Sequence, residues 1–267
     1  MANTRLEIMI NKDEHLFIPF IMAGDPSLDL TIDLALLMEE AGAHILELGV
    51  PYSDPLADGP VIQRAALRAL EHKMNLETAM RLVPQMRKRG LTIPVIIFTY
   101  YNPVLQLGEE NVISLMKENE IDGILIPDLP FEESRNLSER CNQSGVPLIS
   151  LVAPTSERRI EMIAKEAKGF LYCVSSLGVT GVRKEIDEGI YQFLKEVKTH
   201  SEVPVAVGFG ISNREQVAKL KPYCNGIIVG SAVIKMIESK KTEMLDNETK
   251  EKALLEIKTF VYSLISS

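Results

Sequence analysis

Eight short runs of apolar, largely β-branched residues recur along the chain: LFIPFIM (16–22), HILELGV (44–50), PVIIFTY (94–100), GILIP (123–127), PLISLV (147–152), FLYCV (170–174), PVAVGF (204–209) and GIIVG (226–230). Runs of this length are strands, and because polar residues do not alternate through them, both faces of each strand must be covered. Between the runs, apolar residues return at helical spacing in 30–42, 77–90, 111–120, 132–145, 156–167, 189–200, 213–222 and the C-terminal 250–265. Gly42, Gly90 and Gly145 stand where helices should end, and Pro94, Pro147 and Pro204 where the next strands should begin.

Strand and helix in alternation predict a parallel sheet wrapped by crossover helices. Eight such units in 267 residues predict an α/β fold, a closed (β/α)8 TIM barrel forming one domain over residues 1–267, ahead of an open doubly wound sheet. Two elements are extra to the repeat: an N-terminal helix at 3–12, placed to cover the barrel bottom, and a helix at 61–73 between the second strand and its return helix. The charged stretch 239–250 reads as a solvated linker.

Composition narrows the class. With 46% hydrophobic residues the chain can fill a large core. Lys and Arg number 29 against 37 Asp and Glu, a net charge of −8, so no basic surface is offered to nucleic acid or an anionic membrane. Any anionic ligand must be held locally. Cys141, Cys173 and Cys224 are odd in number and outside any C-x-x-C pattern, which reads as buried thiols in a reduced, cytoplasmic protein. The N-terminus lacks a signal or transit pattern, and no run reaches membrane-spanning length.

Chemistry in a barrel belongs at the C-terminal edge of the strands. Glu47 lies there, near the end of the second strand, and alternation turns it away from the face shared by Leu46 and Leu48. Facing the interior, it would be a desolvated carboxyl suited to acid or base work; facing the helices, it would pair with a basic side chain. The following loop holds Pro51, Pro55 and Pro60, which leave it few conformers, and carries Asp54 and Asp58. Asp58 either caps the extra helix or presents its carboxylate to the site.

A second constellation points to phosphate. VGFGIS (207–212) follows the seventh strand, and Gly208 and Gly210 allow close backbone approach. After the eighth strand Gly230 and Ser231 open a helix, the arrangement that holds phosphate in many barrels, plain βα turns being the alternative. The sixth loop, 175–187, with Gly178, Thr180 and Gly181, has the glycines of a lid or of an ordinary exposed loop.

No lysine lies near a strand end, Lys184 and Lys235 falling in a loop and a helix, so Schiff-base chemistry is not expected. The histidines, His15, His44, His72 and His200, are not placed for a metal site. P-loop, dinucleotide and serine-hydrolase signatures are missing, which removes support for nucleotide hydrolysis, hydride transfer and serine hydrolysis.

Taken in order, PFIMAGDPS (19–27), LELGVPYSDPLADGPVIQ (46–63), TYYNPV (99–104), IPDLPFEES (126–134), SSLGVTGVR (175–183), VGFGIS (207–212) and VGSAVIK (229–235) resemble the tryptophan synthase α subunit family from near residue 16 onward. The resemblance implies a (β/α)8 lyase of tryptophan biosynthesis that cleaves indole-3-glycerol phosphate to indole and glyceraldehyde 3-phosphate. It needs neither metal nor organic cofactor. It further implies Glu47 as the acid/base that protonates indole C3, and Asp58 as the group that holds the indole N–H. Phosphate is expected at Gly181, Gly210, Gly230 and Ser231, the indole pocket at Phe20 and Tyr172, and a lid contact from Thr180 to Asp58.

One departure is Ser176, where family members often carry Arg; it removes a candidate charge from the lid. The resemblance also implies a β subunit that receives indole in an αββα assembly. Other readings of the same residues are a free-standing indole-3-glycerol phosphate lyase, a phosphosugar isomerase or epimerase using Glu47 as base, and a non-catalytic barrel. Loss of Glu47 or Asp58 would mark the last, and both are present.

Overall fold

A computed structural model describes residues 4–12, 15–174, 189–208 and 210–266. The first half runs α1 (Arg5–Lys12), β1 (Leu16–Met22), α2 (Leu28–Glu40), β2 (Leu46–Gly49), α3 (Pro60–Glu71), α4 (Leu76–Met80), α5 (Val83–Lys88), β3 (Val95–Phe98), α6 (Tyr101–Leu107), α7 (Glu109–Glu118) and β4 (Gly123–Leu125). The second half runs α8 (Phe131–Ser144), β5 (Ser150–Val152), α9 (Glu157–Glu166), β6 (Leu171–Val174), α10 (Gly189–His200), β7 (Val205–Gly208), α11 (Arg214–Leu220), β8 (Gly226–Val229), α12 (Ser231–Ser239), α13 (Lys241–Leu245) and α14 (Lys250–Ile265).

The eight strands form one sheet in the order β4-β3-β2-β1-β8-β7-β6-β5. The remaining seam is bridged where Ile124 N–H donates to Pro147 O at 3.0 Å and Ile149 N–H donates to Ile124 O at 2.8 Å, so the sheet closes into the expected barrel. The open-sheet alternative is excluded by those two bonds.

Alternation within the strands divides the core in two. Leu16, Ile18, Ile45, Ile96, Leu125, Ile149, Phe170, Tyr172, Ala206 and Ile228 fill the barrel interior. Their neighbours, among them Phe17, Ile21, Leu46, Leu48, Ile97, Leu171 and Val207, face the helices in a separate cluster. Leu6 of α1 is 1% exposed and belongs to the interior cluster, which identifies α1 as the plug at the N-terminal end. Asp122 holds that end together: Arg5 Nη1 donates to Oδ1 at 2.7 Å, while Arg87 Nη2 and Val95 N–H each donate to Oδ2 at 2.8 Å.

Four helical expectations are corrected. The segment 77–90 is two helices, because Asn75 and Thr78 close a capping box that starts α4 early and Pro84 lies in the first turn of α5, where its missing N–H is no loss. Helix 213–222 ends at Leu220 in a 3-10 turn, Lys221–Tyr223, around Pro222. The expected linker 239–250 contains α13, anchored by buried Met244. The short α6 follows β3 where only strand and loop were expected.

Candidate active site

Glu47 pairs in register with Phe20 of β1 and Ile96 of β3, at 1% exposure inside the mouth of the barrel. The outward-facing option is excluded. Its Oε1 has no hydrogen-bond partner among the described residues, and burial pushes its pKa up to about 8. A carboxyl in that position carries its proton at neutral pH.

Asp58 is 5% exposed at the end of the loop that leaves β2. The capping position of α3 falls to Gly59, so the Asp58 side chain is not the cap. Its Oδ2 accepts a 2.9 Å hydrogen bond from the Tyr100 phenol, whose oxygen accepts in turn from Ala57 N–H at 3.1 Å. Gln63 of α3 donates to the Asp58 carbonyl at 2.7 Å, which fixes the backbone. Burial raises the carboxyl to about 6 against the lowering effect of the Tyr100 bond. Two carboxyls at one mouth are therefore set on opposite sides of neutrality. Both act on the Tyr172 phenol: burial first, then the charges of Glu47 and Asp58, hold it far above its usual range.

The apolar floor is shaped by glycines. Phe20 meets Phe98 edge to face with centroids 5.6 Å apart. A Cβ on Gly49 would lie 2.2 Å from Phe20 Cζ, and one on Gly208 would lie 2.5 Å from the Tyr172 hydroxyl. Gly208 thus makes room for the Tyr172 ring.

Gly210 has φ +64°, which favours glycine, and Gly230 precedes buried Ser231 at the start of α12. A Cβ on Gly230 would sit 3.6 Å from Phe20 Cβ and 3.7 Å from Ile62 Cδ1, so the opening of α12 borders both the aromatic floor and the extra helix α3. Arg68 of α3 braces that arrangement, holding both oxygens of buried Asp25 at 2.7 and 2.8 Å and Glu238 of α12 at 2.8 Å. Thr180, Gly181, Ser176 and the expected lid at 175–187 lie outside the described residues.

The sequence model described as tryptophan synthase alpha chain matches residues 6–261. This chain belongs to that family. A tryptophan synthase alpha chain from Geobacillus sp. (strain WCH70) is 62% identical over 249 residues, covering 93% of this chain and 95% of the relative. The Bacillus subtilis (strain 168) tryptophan synthase alpha chain is 55% identical over 251 residues, 94% of each chain. The tryptophan synthase alpha chain structure from Legionella pneumophila subsp. pneumophila superposes with TM-score 0.85 at 33% identity, covering 98% of this chain and 96% of that one.

In this tryptophan synthase alpha chain family member, two side chains at the site lie outside the sequence-based expectations. Tyr100, the phenol on Asp58, stands two residues past the end of β3 at the working edge of the barrel, and a tyrosine at that edge is the available signal. Phe98, the edge-to-face partner of Phe20, has no signal of its own inside the apolar run 94–100. Among the described residues no group of three or more His, Cys, Asp or Glu could hold a metal ion, and no helix is long and apolar enough to cross a membrane.

Proposed function

We infer that Glu47 and Asp58 are the two groups with which the chain, a carbon–carbon lyase of tryptophan biosynthesis, cleaves indole-3-glycerol phosphate. The protonated Glu47 carboxyl gives its proton to indole C3, turning the ring into an electron sink. The ionised Asp58 carboxylate accepts the indole N–H, where positive charge develops. Glu47, now a carboxylate, takes the proton of the adjacent glycerol hydroxyl. The C–O bond becomes a carbonyl, the C–C bond to the ring breaks, and its electron pair restores the indole. Glyceraldehyde 3-phosphate leaves with Glu47 protonated as it began, so the cycle needs no external proton. The lysine iminium used elsewhere for such cleavage has its counterpart in the protonated ring.

The observation that carries this assignment is Glu47 itself, a buried carboxyl at the working edge with no basic partner among the described residues. Phe20 and Tyr172 border the ring site. Gly210, Gly230 and Ser231, with Thr180 and Gly181, are proposed for the phosphate and the lid. Glu47→Gln keeps the shape and removes the titrating proton. We expect cleavage to fall by about 10³-fold or more with substrate binding retained; a variant near the wild-type rate would refute the acid/base role.

A structure of the tryptophan synthase a2b2 complex from Pyrococcus furiosus covers 96% of this chain at 36% identity and TM-score 0.85. On that precedent indole passes to a β subunit in a cytoplasmic αββα assembly, docked where Leu56 and Leu105 stand 76% and 54% exposed beside the site. Strong cleavage by the isolated chain, unchanged by a β subunit, would favour the free-standing lyase.

A further inference from the structure

We propose that Tyr52 is a positioning residue for Asp58 that acts through Tyr100. The inference rests on the role given to Asp58 above. Tyr100 is 1% exposed, and its hydroxyl joins Ala57 N–H to the Asp58 carboxylate. No backbone constraint fixes that phenol, because a tyrosine ring turns about two side-chain bonds. The Tyr52 ring stacks on it, with centroids 5.1 Å apart and planes at 28°. Tyr52 is itself tethered, its hydroxyl accepting from Asn102 Nδ2 at 3.1 Å. A ring from the loop after β2 is thereby pinned to the first turn of α6, and Tyr100, at the α6 cap, lies beneath it.

Removing the Tyr52 ring would let the Tyr100 phenol leave Asp58. Other groups facing this pair stay in place: Glu47 and Tyr172 from the interior, and Asp128 toward Tyr100 from the end of β4. Loss of the Tyr100 bond removes an influence that lowers the Asp58 pKa, so the carboxyl should titrate higher.

The test uses the full chain, with indole-3-glycerol phosphate turnover and NMR titration of the Asp58 side-chain carboxyl. Tyr100→Phe is expected to lower kcat about tenfold, and Tyr52→Ala about fivefold with KM within about twofold of wild type. Tyr52→Phe should stay near wild type because it keeps the stack. In Tyr52→Ala the Asp58 titration should move up, toward its position in Tyr100→Phe. The double variant should be no slower than Tyr100→Phe alone, since both act through one phenol.

Multiplying effects in the double variant would overturn the proposal, as would an Asp58 titration that stays or moves down in Tyr52→Ala. Tyr52→Leu, which keeps apolar bulk without a ring, repeats the measurement if the alanine variant folds poorly. Failure of the Asp58 reading is separable: it appears as wild-type turnover in Asp58→Asn, while the titration still reports on Tyr52.

Discussion

At the residue scale, opposite protonation of two carboxyls makes a pH prediction whose sign follows from their environments. On the proposed assignment, cleavage needs Glu47 protonated and Asp58 ionised, and burial sets their pKa values near 8 and 6. The kcat/KM profile should therefore be a bell, falling below about pH 6 as Asp58 gains a proton and above about pH 8 as Glu47 loses one. Asp58→Asn should remove the acid limb and leave the alkaline one; retention of both limbs would reassign them. A second prediction concerns Gly49, whose missing side chain is occupied by the Phe20 ring at 2.2 Å from any Cβ. Gly49→Ala should lower stability by roughly 1–3 kcal/mol through overpacking. Phe20→Leu in the same chain should recover most of that in urea unfolding while KM for substrate rises. Such fits are hidden from sequence, where Gly49 is one more position in the run HILELGV; only the strand register placing Phe20 beside Glu47 shows what the glycine admits.

Elements differ in how openly the chain declares them, and the difference is physical. The strands were legible because a parallel barrel buries both faces, so LFIPFIM and GIIVG carry no polar interruption. Glu47 was legible for the same reason, as a charge inside such a run. Helices set by backbone chemistry within one segment were only partly legible: the 77–90 periodicity survives while Pro84 and the Asn75 cap divide it. The Asp122 cluster could not be read at all, since Arg5, Arg87 and Val95 converge from three separate elements. Its position at the end opposite the site separates stability from function. Asp122→Ala would strand Arg87, whose side chain is 8% exposed, and should cost about 3–5 kcal/mol. Denaturation should register that loss, whereas kcat and KM at 25 °C stay close to wild type; a large kinetic change would show that the two ends are coupled.

For the whole molecule, the buried carboxyl proposed as the acid also sets a limit on stability. Glu47 in the folded chain holds its proton up to about pH 8, against an ordinary value of 4.5. Between those values the folded state binds more protons than the unfolded one, so the Glu47 contribution to stability decreases as pH rises. The full contribution is present below about pH 4.5. By pH 9 the loss is on the order of 4–5 kcal/mol, at about 1.4 kcal/mol per pKa unit. Asp58 adds a smaller loss of the same sign, complete by about pH 6 to 7. Above pH 7 the slope thus belongs mainly to Glu47, and Glu47→Gln should abolish it, since the amide stays neutral. The variant should be more stable than wild type at pH 9 and similar to it near pH 5. Urea unfolding of both proteins across pH 5–9 measures the difference. Parallel curves from pH 7 to 9 would mean that water reaches Glu47 and leaves it an ordinary carboxylate, in which case the acid that protonates indole must be sought elsewhere.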